Sequence, residues 1–500
     1  MFTFRSTYQS LRVLQPATPL SGFIVPTNAG DFTIRVIPHL FAASSLRIPG
    51  RYYLVLFLAV LLWLPVPLGA VSAWGWPVLS AGVLLMTLCY IRQFPVTALP
   101  VLWQNRYLLI LWLCLLLWHL VLLIPLPESV MDMVRPQRTF LSLKQHNHWL
   151  ALTYSTTDTI ISFFRTLTYG CMFTLALLLF RTAHRLKLLL RCLLVVGLFE
   201  MLYASLHLFS GAPKSLFLDI KTGPAATGTL LDAFAYGHLL LIALFAVLAL
   251  LIIRIKPSVT GNQRQRMRRL VNYFFGKKTV LRVAALLIFA GLVMTILPDV
   301  IWATVVSTVL SVLAAFCLFS PRPRRLSTFM ISLLTANILM ILAASYLAER
   351  HPLPSSDLFV TLEDKQWAPM TPGRFDHWLL GSGPGTVKNT NRDAHFIHVT
   401  GTLPAQHTAV FQFIQEYGLI ASLLYLGVFL YCFMSALKAM AHRRHLVFRA
   451  VALCCTGVFT GTVYLAVVST SLQTPVITAY VTVLMGVSLV SLQCRKYQKA

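Results

Sequence analysis

Stretches dominated by Leu, Val, Ile, Phe and Ala recur along this chain, each long enough at 1.5 Å per residue to approach or cross about 30 Å of hydrocarbon. They fall at 51–70, 76–94, 106–125, 159–180, 188–210, 229–253, 280–297, 299–319, 327–347, 406–437, 446–469 and 474–493. The pattern predicts an all-α fold, a polytopic transmembrane helix bundle of about twelve spans. Most polar sequence falls in the intervals, and three of these, 126–158, 211–228 and 348–406, are long enough to build something.

Charge then orients the bundle. Of 41 Lys and Arg, 30 lie in the tail up to Arg51, in the loops at 92–106, 181–191, 254–282, 320–326 and 438–449, and in 495–500. Basic residues collect on the cytoplasmic side of membrane proteins, so both termini are expected inside and the three long intervals outside. The expected organisation is a cytoplasmic tail over 1–48, spans one to nine over 49–347, a large periplasmic loop over 348–406, spans ten to twelve over 407–494, and a short cytoplasmic tail over 495–500. Residues 1–48 lack an apolar core ahead of a small-residue cleavage site, which argues against a signal peptide. Composition agrees: 57% hydrophobic residues, 11% charged and a mean hydropathy of +0.74 exclude an ordinary soluble globule. The net charge of +26 does not indicate nucleic acid, because its densest run, RQRMRRLVNYFFGKK at 264–278, is a topology signal that also suits contact with membrane lipids.

The nine cysteines lie in spans or at their cytoplasmic ends and form no Cys-x-x-Cys pair, so neither disulfides nor a thiolate metal site is expected. His146 with His148, and His395 with His398, lack a matching carboxylate cluster. No nucleotide fingerprint and no HExxH occurs, and no cofactor is expected. Candidate chemistry centres on 374–418, where GRFDHWLLGSGPGTVKN leads into QHTAVFQFIQEYGLI. The glycines Gly381, Gly383 and Gly385 permit a tight turn with exposed N–H groups, fit for a phosphate or simply for a surface bend. His407, at a water–lipid boundary, suits a general base for a hydroxyl, although taken alone it reads first as a plain interfacial histidine. Glu416 lies about 13 Å deeper on the same helix and in i, i+4 relation to Gln412. A carboxylate at that depth costs about 2.5–3.5 kcal/mol unless paired, so a partner is expected. Glu200, Tyr203 and His207 share one helical face of the fifth span, and Asp232 and Tyr236 stand one turn apart with His238 near, as helix glue or as a pathway.

The order of these segments resembles the O-antigen ligase superfamily, integral membrane transferases that include O-antigen ligases, O-antigen polymerases and related exopolysaccharide proteins. The resemblance spans about 105–435. LLLWHLVLLIPLPESV at 115–130 is similar to a family span ending in Pro-Leu-Pro, and ALTYSTTDTIISFFRTLTYGCMF at 151–173 to its Leu-Ser-x-x-Pro-x-x-Thr helix start. FEMLYASLHLFSG at 199–211 is similar to Ala-Leu-Tyr-Gly-x-x-Gln, and TGTLLDAFAYGHLLL at 227–241 to Gly-Thr-Phe-x-Asn-x-Asn-x-x-Ala. GR at 373–374, LLGSGPGTV at 379–387 and QHTAVFQFIQEYGLI at 406–420 look like the Gly-Arg, Gly-x-Gly and His-Asn-x-x-Leu-Gln-x-x-x-Glu-x-Gly signature of the family's large loop and following span.

The resemblance implies a metal-independent glycosyltransferase of the bacterial inner membrane. It would move a glycan from an undecaprenyl pyrophosphate carrier to a hydroxyl of lipid A core, another glycan or a protein, for cell-surface polysaccharide. His407 matches the histidine that activates the acceptor, and Arg374 the arginine that grips pyrophosphate. Arg165 and Lys221, placed by position rather than by motif, would assist, and Gly381, Gly383, Gly385, Gln412 and Glu416 complete the expected substrate-binding set. The chain departs from the pattern at Thr408, at Asp232 to Phe234, at Ala421, and at Asp299, where many members carry Ser-Arg-Gly. A transporter or flippase of a lipid-linked solute, and a catalytically degenerate member, are the alternatives.

Overall fold

The computed structural model describes residues 50–67, 75–127, 129–131, 149–210, 226–230, 232–254, 279–319, 324–350, 379–385 and 408–493. Arg374, His407, Lys221, both tails and the basic run at 264–278 lie outside these residues. Every apolar run becomes a helix. The helices are α1 (Arg51–Trp63), α2 (Gly75–Gln93), α3 (Pro95–Gln104), α4 (Arg106–Leu123), α5 (Thr156–Leu179), α6 (Ala183–Ser210) and α7 (Ala233–Ile253). They continue with α8 (Thr279–Met294), α9 (Pro298–Leu318), α10 (Arg324–Arg350), α11 (Ala409–His442), α12 (Leu446–Val468) and α13 (Pro475–Gln493). Among the described residues nine are long and apolar enough to cross a bilayer: α2, α4, α5, α6, α7, α9, α11, α12 and α13. The apolar parts of α1, α8 and α10 are shorter. This is an all-α, multi-pass membrane bundle.

Two differences from the sequence reading concern connections. The interval 92–106, expected as a loop, contains α3, because Pro95 falls at the first helical positions, where its missing N–H costs nothing. The long interval after α4 opens and closes with paired strands, β1 (Pro125–Pro127) antiparallel to β2 (Trp149–Ala151).

Burial is uneven. In the apolar window of α7, 89% of residues are buried, against 28% in α11 and in α4. A helix apolar all round belongs inside a bundle, and α7 accordingly packs against α6, α8 and α12. The sparsely buried α4 and α11 leave much apolar surface for lipid. Some helix ends are closed by side chains. Ser155 caps α5, its Oγ accepting from Asp158 N and donating to Asp158 Oδ2 at 2.8 Å. Arg185 donates to the Leu179 carbonyl at the end of α5. Arg449 donates to Met440 O (3.1 Å) near the end of α11 and to Leu318 O (3.2 Å) at the end of α9, with its guanidinium 4.1 Å from the Phe319 ring. Some arginines on the side read as cytoplasmic thus also finish helices.

Candidate functional site

Helix α11 is broken. Gly418 has φ 80° and ψ 167°, a backbone that no helix contains and that an L side chain rarely adopts. Breaking a helix strands the carbonyls of the preceding turn, which is costly away from water unless other donors reach them. The turn at 379–385 supplies those donors. Ser382 N donates to Gln415 O (2.9 Å), Ser382 Oγ to the same carbonyl (3.2 Å), and Gly383 N to Glu416 O (2.9 Å). The Trp118 indole of α4 donates to Tyr417 O at 2.9 Å. Three consecutive carbonyls are thereby satisfied from two other parts of the chain.

The glycine-rich turn is therefore not the exposed phosphate cradle that its composition allowed. The N–H groups of Ser382 and Gly383 are spent on α11. The glycines serve close approach instead: a Cβ on Gly381 would overlap the Glu416 carbonyl, one on Gly383 the Thr153 side chain, and one on Gly385 would lie 2.8 Å from Asp158 Cβ. Tyr154 N completes the junction by donating to Ser382 O at 3.1 Å. The start of α5, the turn and the middle of α11 thus form one unit.

Beneath it lies a buried polar cluster between α4, α5 and α11. His119 Nδ1 stands 2.7 Å from Leu115 O, which accepts only, so Nδ1 carries a proton. Ser162 Oγ and Thr166 Oγ1 each lie 3.4 Å from Nε2. Ser162 also bonds Tyr417 Oη, and Tyr425 Oη reaches Thr166 Oγ1 at 3.4 Å. Sequence reasoning overlooked His119 as a candidate. The available signal was an ionisable group amid leucines at membrane depth.

At the start of α11, Gln412 Nε2 donates to Glu416 Oε1 at 2.9 Å, the pairing expected from their spacing. Glu416 is buried. The Gln473 amide, in the 3-10 turn Ser471–Gln473 between α12 and α13, donates in turn to Gln412 Oε1. Ala409 N on Ser469 O (3.0 Å) holds the two segments together. Gln473 too was missed, because a six-residue connection carries no periodic signal.

Arg165 is half-buried on α5, with its guanidinium carbon 5.8 Å from the Trp76 ring centre. Arg165 Nε and Trp76 Nε1 are both enclosed and both without a hydrogen-bond partner, two donors facing no acceptor.

The other intramembrane polar groups are engaged elsewhere. Glu200 is fully buried, accepting Thr229 N on Oε2 (2.8 Å) and meeting Thr229 Oγ1 through Oε1 (2.6 Å). Thr229 Oγ1 also reaches Pro65 O at 3.0 Å. The Thr229 hydroxyl thus lies between the Glu200 carboxyl and the Pro65 carbonyl. Asp232 caps α7, accepting Phe234 N at 3.0 Å. His238 joins Thr462 Oγ1 (Nε2, 3.0 Å) and Ser471 Oγ (Nδ1, 3.1 Å), tying α7 to α12 and its following turn. Among the described residues no group of three or more His, Cys, Asp or Glu could hold a metal ion. The chain matches no protein-family model and no curated protein.

Proposed function

We propose that the protein is an O-antigen ligase-like glycosyltransferase of a bacterial inner membrane, moving a glycan from an undecaprenyl pyrophosphate carrier to an acceptor hydroxyl, as a ligase or a polymerase. One observation carries the reading: the segments that resemble the family, far apart in sequence, meet in pairs. The 379–387 segment bonds the 406–420 segment through Ser382 and Gly383, and touches the 151–173 segment through Tyr154. Trp118 of the 115–130 segment reaches Tyr417. Glu200 of the 199–211 segment binds Thr229 of the 227–241 segment.

The chemistry assigned to the site follows from charge. A departing pyrophosphate needs fixed donors where its charge grows, and an acceptor hydroxyl needs a base on the opposite side. Arg374 and Lys221 are proposed for the first task together with Arg165, whose enclosed Nε and Trp76 neighbour suit an anion. His407 is proposed for the second. It precedes by one residue the Thr408 cap of α11, whose Oγ1 accepts Phe411 N, so the helix bearing Gln412 and Glu416 starts beside it. The transport alternative placed a path along Glu200 and Asp232, and both are committed to structural bonds.

The test is transfer by purified protein in nanodiscs, given an undecaprenyl pyrophosphate-linked oligosaccharide and candidate acceptors, without divalent metal. Wild type is expected to transfer. Arg374→Ala and His407→Ala are expected to abolish transfer while the protein stays inserted and folded. Wild-type activity that neither substitution affects would remove the site from 374–407, and donor binding with no transfer to any acceptor would refute the enzyme.

A further inference from the structure

Glu416, Gln412 and Gln473 form a ladder whose polarity is set from its buried end. Glu416 Oε1 accepts from the amide NH2 of Gln412. That choice turns Gln412 Oε1 toward Gln473, which must present its own NH2 in reply. The last group in the row is then Gln473 Oε1, on an exposed side chain at the end of the connecting turn. The preference of a buried carboxylate is relayed through two amides and emerges at the surface as an acceptor.

We infer that Gln473, with Gln412 and Glu416, seats a hydroxyl of a neutral sugar acceptor and disfavours phosphate. Gln473 Oε1 is left facing outward, where a sugar O–H can donate, whereas a phosphate oxygen would have to rely on the second N–H of the Gln473 amide alone. Arg165 and Trp76 offer the opposite character, donors alone. The inference rests on the glycan-transfer reading and adds Gln473 as an acceptor-binding residue.

The experiment measures transfer kinetics in nanodiscs at varied concentrations of a fluorophore-tagged neutral hexose oligosaccharide, for wild type, Gln473→Ala and Gln473→Lys. Lysine retains a donor for Gln412 Oε1 but has no acceptor to offer, so it separates ladder pinning from ligand contact. Both variants are expected to raise the acceptor KM about tenfold, the weight of one well-made hydrogen bond. The donor KM and kcat should move less than about twofold on the same scale. An unchanged acceptor KM in either variant, with wild type active, overturns the inference and leaves transfer intact. If wild type transfers nothing, saturation-transfer NMR with the same oligosaccharide decides. Binding lost in both variants upholds the seat and removes the transferase reading; absent binding, or binding both variants keep, overturns the seat as well. Competition between inorganic pyrophosphate and the oligosaccharide would also overturn it.

Discussion

Two buried carboxylates in this bundle invite comparison, Glu200 on α6 and Glu416 on α11. Both interrupt apolar sequence and both recruit partners, yet the partners lead in opposite directions. Around Glu200 the bonds close on themselves: Thr229 meets it with an N–H and a hydroxyl, and that same hydroxyl reaches the Pro65 carbonyl. Around Glu416 the row runs outward through Gln412 to the exposed Gln473. A closed ring of bonds joins segments, whereas an open row has a free end to offer a ligand. Residue type and burial were alike; the connectivity of the hydrogen bonds is what differs between the two carboxylates.

The largest expected effect falls on the closed ring. Glu200→Ala strips the buried Thr229 N–H of its acceptor and should cost about 3 kcal/mol, read as unfolding in detergent micelles. Glu200→Gln, which can donate to Thr229 Oγ1 and accept from Thr229 N, should cost under about 1 kcal/mol. Next is Gly383→Ala, which drives a methyl into Thr153 at φ 102°. It should cost about 2 kcal/mol and reduce transfer, since the turn and the α11 break would separate. Trp118→Phe leaves the Tyr417 carbonyl without its donor and should cost about 1 kcal/mol in the same unfolding assay. The smallest effect on stability belongs to Glu416→Gln, expected at about 0.5 kcal/mol because the new side chain can still accept from Gln412, while acceptor KM rises several-fold. If Glu416→Gln proved as destabilising as Glu200→Ala, the distinction between the two carboxylates would fail.

Much of the bundle was legible in advance because a bilayer imposes one demand, apolar length, and the sequence answers it at each run. The Gln412–Glu416 bond was legible for a similarly local reason, since i, i+4 residues share a helical face. What could not be read is long-range. Gly418 looks like any helical glycine until the carbonyls before it are seen to bond Ser382 and Gly383. The turn at 379–385 permitted two uses, and only its distance from α11 selects between them. His119 vanished into the mean hydropathy of α4, and Gln473 sits in a connection too short for any periodicity. Arg185 and Arg449 were counted as orienting charge, while their second task, closing helix ends, depends on which carbonyls come within reach.

The break in α11 also bears on how the chain is made. Its stranded carbonyl at Gln415 is served by a residue 33 positions earlier, so the ribosome releases the turn before the helix that needs it. Trp118 and Tyr154 have been synthesised earlier still. When α11 is produced its donors already exist, and the nascent helix can break at Gly418 against a finished surface. A circular permutant that placed 379–385 after α11 would reverse this schedule, and its insertion yield would report the value of the native order.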